Sequence, residues 1–111
     1  MASDLGFVEY VCDQIGGAGQ VTFRQMFGEY AIYCGGKVVA LVCGDRLFVK
    51  QTPGGLAFIG DAVEARPYPS AKPHFLIEDK LDDREWMTGL IQVTERELSP
   101  PKRKTSKSII R

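Results

Sequence analysis

One histidine, three cysteines and a knot of acidic side chains are the residues of this 111-residue chain whose types could carry chemistry. A catalytic histidine needs a nucleophile or an orienting carboxylate beside it. His74 lies in a proline-rich run with only Glu78 and Asp79 near it in sequence, and so reads as a structural or solvated residue. Cys12, Cys34 and Cys43 are odd in number and lack a Cys-x-x-Cys spacing, which excludes a disulfide framework and a zinc knuckle and points to reduced, partly buried thiols. None has a general base within its own stretch of sequence, and Cys12 falls on the apolar stripe of a helix. Asp79, Asp82, Asp83 and Glu85 are dense enough to suggest a cation site, yet they lack the alternating spacing and glycine of a calcium loop. Acids at a helix start are expected from the helix dipole alone. Thr52-Pro53-Gly54-Gly55 offers backbone amides at another helix start but no Gly-Lys-Ser/Thr ending, so it reads as a cap and not a phosphate cradle. No catalytic residue, metal site or cofactor site is therefore expected. A small-molecule sensor, or an enzyme with a pocket near Cys12 or His74, is the alternative kept open.

The chain that must position these residues is of ordinary globular composition, 44% hydrophobic and 25% charged. A chain of this length buries roughly 65% of its unfolded surface, enough for one core. No stretch reaches the length of a membrane span, and the start MASDLGFVEY carries an acid where a signal peptide has a basic residue. A cytoplasmic protein without membrane contact is expected. The formal net charge of zero conceals an asymmetry. Lys102, Arg103, Lys104, Lys107 and Arg111 all follow the last acid, leaving nine of the fourteen Lys and Arg against all fourteen Asp and Glu in residues 1–101, a formal −5. We divide the chain into a domain, 1–101, and a basic tail, 102–111, which has too few large apolar groups to offset the entropy of ordering it. The tail cations Lys102, Arg103, Lys104 and Lys107 could bind a polyanion weakly and without sequence preference, since no aromatic residue interleaves them for base stacking.

Within 1–101, Ser3 is a candidate cap for a helix whose Leu5, Val8, Cys12 and Ile15 recur at helical spacing until Gly16-Gly17. A short strand over 20–26 follows, then three strands joined at Gly35-Gly36 and Gly44-Asp45, pairs suited to primed hairpin turns. Thr52 and Pro53 start a short helix that ends near Gly60. Pro67, Pro69 and Pro73 confine regular pairing in 66–78 to its end, at or near a sheet edge. Asp82 or Asp83 caps a last helix with Trp86, Leu90 and Val93 in one apolar row and Met87, Ile91 and Leu98 in the next, and Trp86 is expected to be largely buried. The order predicts an α+β two-layer sandwich: an antiparallel sheet of about five strands with the first and last helices packed on one face.

The strands from Met26 to Lys50 are apolar on both faces, which leaves the second face to be explained. With regular pairing from both turns, Ala31, Tyr33, Ala40, Val42, Leu47 and Val49 share the helix-facing side. The opposite side then carries Tyr30, Ile32, Val39, Leu41 and Phe48, bordered by Lys37, Arg46 and Lys50. That anatomy fits a contact surface for a protein partner or a second copy of the chain. The competing reading is that the short helix, or the segment 66–73, folds over this face.

Arg24-Gln25-Met26-Phe27-Gly28 running into Glu29-Tyr30-Ala31-Ile32-Tyr33, then Gly36, Ala40 and Leu47-Phe48-Val49-Lys50, resembles the N-terminal domain of the TfoX/Sxy family. The likeness continues through Pro67-Tyr68, Lys72-Pro73-His74-Phe75, Asp83-Arg84-Glu85-Trp86 and Pro100-Pro101-Lys102-Arg103-Lys104, and so covers nearly the whole chain. The resemblance implies a non-enzymatic regulatory or interaction domain, since members are implicated in natural competence in bacteria together with other transcription regulators. Full-length regulators of that family carry a second, C-terminal domain. Here only a short charged tail follows Pro100-Pro101, so a stand-alone domain is expected.

Overall fold

The computed structural model describes residues 4–26 and 28–98. The expected cap Ser3 and the tail cations Lys102, Arg103, Lys104 and Lys107 lie outside them.

Turn chemistry sets the centre of the sheet. Gly35, Gly36, Gly44 and Asp45 all take positive φ, between 58° and 82°. Two consecutive left-handed residues form the turn whose twist matches a hairpin, so strands β2 (Glu29–Cys34), β3 (Lys37–Cys43) and β4 (Arg46–Val49) run as a tight meander. β1 (Val21–Met26) pairs with β2 on one side. β6 (His74–Ile77) pairs with β4 on the other, and β5 (Glu64–Ala65) closes the far edge, giving six antiparallel strands in the order β1-β2-β3-β4-β6-β5. The strand beyond the expected five is β5, whose two residues are too few to show a period.

Among the described residues, three α-helices form the second layer. α1 (Leu5–Gln14) begins at Asp4, which makes no side-chain cap bond; the Asp4 amide instead donates to Asp45 Oδ1 across the β3–β4 turn at 2.6 Å. α2 (Pro53–Ile59) has the expected Thr52 cap, its Oγ1 accepting from the Gly55 amide at 2.9 Å, and ends at Gly60 with φ 84°. α3 (Arg84–Glu97) is capped by Asp83, whose Oδ1 accepts from the Trp86 amide at 3.0 Å. Val8, Val11 and Ile15 from the α1 region and Met87, Leu90 and Ile91 from α3 close over one sheet face as a single core. α1 is fastened to the start of α3: Arg84 donates to the carbonyl and carboxylate of Asp13, Gln14 Nε2 donates to the Leu81 carbonyl, and Thr88 Oγ1 donates to the Gln14 carbonyl. Trp86 is partly buried and packs against the core. It sits on the seam with α2, its ring 5.6 Å from Phe58 and beneath the Lys80 ammonium.

The register of β2 on β3 departs from the regular pairing. Tyr33 faces Val38 as expected, but Ile32 faces Ala40, Ala31 faces Leu41 and Tyr30 faces Val42, so Val39 is the extra residue of a β-bulge. A one-residue slip exchanges the two sides of a strand. Tyr30, Ile32 and Val39, expected on the open face, therefore belong to the core under the helices, while Ala31 moves to the opposite side. β4 keeps the expected pairing with β3, so Leu41 and Phe48 do lie on the side away from the core, next to Leu76 of β6.

Candidate interaction surface

The sheet face away from the helices is built from alternate residues of five strands. β1 contributes Arg24 and Met26, β2 Glu29, Ala31 and Tyr33, β3 Leu41 and Cys43, β4 Arg46 and Phe48, and β6 His74 and Leu76. The two halves of this face differ. Toward β6, Phe48 is only 4% exposed and Ala71 and His74 are buried. Here the proline-rich segment 66–73 is held by its own bonds: Arg66 donates to the Ala71 carbonyl, Ala71 N donates to the Tyr68 carbonyl at 2.9 Å, and His74 Nδ1 lies 2.8 Å from the Lys72 carbonyl. With the proton on Nδ1, that nitrogen donates to Lys72 and Nε2 is left as a buried acceptor with no partner. α2 packs instead beside α3, where Gly55 approaches Phe75 and Leu90.

Toward β1 the face stays open. Met26, Glu29, Tyr30, Leu41, Cys43 and Tyr68 line a concavity of about 460 Å³. Met26 is 43% and Tyr68 51% exposed, so two large apolar side chains stand at its rim with half-buried Leu41 between the strands. Glu29 Oε1 accepts from the Gly44 amide at 3.3 Å. Burial raises the Cys43 thiol above its usual pKa, and the Glu29 carboxylate adds to the effect. A thiol so placed keeps its proton at neutral pH and packs as a small apolar group.

The other sequence candidates are spread over the molecule. Cys12 is on α1, where burial first and Glu9 second push its thiol up to about 11. Cys34, at the end of β2, is raised by burial and by Glu95, against the opposing pull of Lys37. Asp83 is spent on the α3 cap and Asp82 accepts from the Tyr10 hydroxyl. Of the five residues expected to form a contact face, the structure leaves Leu41 and Phe48 on that face, Phe48 largely covered. Met26, Cys43 and Tyr68 join Leu41 around the open half, where Tyr30, packed in the core, also lines the concavity, while Ile32 is fully buried. The one signal for Tyr68 was an aromatic side chain held between Pro67 and Pro69, where the backbone cannot withdraw it into a regular strand.

An open antiparallel sheet, helices on one side and a proline-rich strap on the other, defines an α+β domain whose free surface is half of a sheet face. The chain belongs to the TfoX N-terminal domain family, which it matches over residues 13–97. It is 34% identical over 108 residues to an uncharacterized 12.7 kDa protein in the trpE 5' region of Spirochaeta aurantia, covering 97% of this chain and 94% of that one. Among the described residues, no helix is long and apolar enough to cross a membrane.

Proposed function

We propose that this domain is a non-enzymatic module that acts by protein contact through the open half of its outer sheet face, in the transcriptional control with which TfoX/Sxy proteins are associated. The observation that carries the reading is the exposed pair Met26 and Tyr68 over the apolar concavity at Leu41. Large apolar side chains rimmed by charge, here Arg24 and Glu29, have the composition of a contact patch. The three raised cysteine pKa values support a binding role over nucleophilic chemistry, because a thiol held protonated is a poor nucleophile.

The test is affinity capture from native lysate with the full chain and with a Leu41→Gln, Tyr68→Ser double variant whose circular dichroism matches the parent. A protein recovered by the parent and lost with the variant supports the reading. Equal recovery by both would place the contact elsewhere. Recovery of nucleic acid instead, released by moderate salt, would favour the basic segment 102–111 as the functional element.

A further inference from the structure

The two edges of the sheet are unequal. β5 is two residues long, and the β6 strand inside it is already tied outward, the Leu76 amide donating to the Val63 carbonyl at 2.8 Å. β1 is six residues long, and among the described residues no strand pairs with its outer side. The pairing with β2 fixes which groups face outward. The Gly35 amide donates to the Gln20 carbonyl at 3.0 Å, and these residues stand opposite each other in the β1–β2 register, so Gln20 opens a hydrogen-bonded pair. Pairs alternate along an antiparallel ladder. Thr22, Arg24 and Met26 are therefore bonded to β2, whereas the amides and carbonyls of Val21, Phe23 and Gln25 point away from the sheet. Natural edges are usually blunted by proline, lysine, a bulge or extreme shortness. β1 has none of these, and its single charge, Arg24, stands on the outer face.

We propose that β1 pairs antiparallel with β1 of a second copy of this chain, joining two sheets across a two-fold axis at Phe23. The three outward residues are evenly spaced, so the strand is complementary to itself: Phe23 meets Phe23, and Val21 meets Gln25 of the second copy. This register uses every outward amide and carbonyl, roughly six hydrogen bonds in all. It also sets Thr22 opposite Arg24 of the second copy, whereas the register shifted by one residue toward the C-terminus sets Arg24 directly against Arg24 and is disfavoured by like charge. A second copy is a better occupant than a flexible peptide because its strand is already ordered on a folded scaffold and gives up little conformational entropy on pairing. The contact is isologous and closes at two, so it does not propagate into fibres. This edge is separate from the outer-face concavity, and the inference does not rest on the proposed function.

Sedimentation equilibrium of the full chain tests the pairing. Gln25→Pro removes an outward amide that β2 does not use, so it should weaken dimerisation at least about tenfold with circular dichroism unchanged. Thr22→Arg, opposite Arg24 of the second copy, should weaken it, and Thr22→Glu at the same point should tighten it several-fold, with both effects shrinking in high salt. These two variants leave the backbone intact and report on the register even if the proline variant fails to fold. A parent chain that remains monomeric up to about 0.1 mM would overturn the inference. So would a dimer indifferent to both Thr22 substitutions, or one dissolved by Leu41→Gln with Tyr68→Ser and not by the β1 variants.

Discussion

At the scale of single residues, the clearest energetic statement concerns Cys12. Its folded-state pKa is raised from 9.0 to about 11, mainly by burial. Between these values the unfolded chain gives up the proton while the folded one keeps it, so the unfolded state binds fewer protons and stability falls as pH rises. The loss attributable to Cys12 should be on the order of 1 to 2 kcal/mol, less than the full shift implies because the side chain is partly solvated. Urea unfolding midpoints at pH 8 and pH 11 measure it, and Cys12→Ala should flatten the decline without removing it, since Cys34 and Cys43 are shifted in the same direction. A second residue-scale test is Gly55→Ala. The added methyl would come within 2.9 Å of Thr52 Oγ1, and Thr52 is buried and held as the α2 cap, so it has little room to give. We expect a net loss of about 1 kcal/mol, the cap outweighing alanine's better helix propensity, read as a lowered melting temperature.

At the scale of elements, caps and turns carried their signals openly. Thr52-Pro53 and Asp83 start the helices for which their hydrogen-bonding chemistry suits them, and the two Gly-containing pairs form the turns that positive φ demands. Asp83→Ala should cost about 1 kcal/mol by freeing the Trp86 amide, measured by thermal unfolding. Trp86→Ala should fall below the roughly 3 to 5 kcal/mol of a fully buried aromatic, because one side of the ring faces Lys80 and solvent. The bulge at Val39 had no such signal. Val38 through Val42 is a continuous apolar run, so neither register exposes a charge and the period offers no choice between them. Regular pairing extended from the turn therefore runs one residue out of phase across β2 and sets Tyr30 and Ile32 on the wrong side. The concavity was equally hidden, since Tyr68 reaches Met26 and Leu41 only through the path of the 66–73 segment over the sheet.

At the scale of the whole molecule, among the described residues all three α-helices and five of the strands feed one core, and α1 is fastened to the start of α3. α1 is bonded to residues about 70 positions away, through Asp13 to Arg84 and Gln14 to Leu81 and Thr88. Lys37 likewise bridges the β2–β3 turn to Glu95 of α3, at 3.1 Å to the carboxylate and 2.9 Å to the carbonyl. No part can leave without opening the core, so unfolding should be two-state. Trp86 fluorescence, which reports the α2–α3 seam, and far-UV circular dichroism, which reports every element, should trace coincident urea transitions. Separate midpoints would show that the helical layer detaches before the sheet.

The bulge makes β3 a place where register matters more than composition. Were Val39 drawn into the ladder, pairing would run regularly from the β2–β3 turn and set Ile32 opposite Val39 and Ala31 opposite Ala40. Tyr30 and Ile32 would then rotate out to solvent, and through β2 the same inversion would pass to β1, carrying Val21 and Phe23 out and Thr22 and Arg24 inward. That single slip would thus act on the folded chain as a frameshift acts on a message. Every residue downstream in space, though unchanged in identity, would be read from its wrong side.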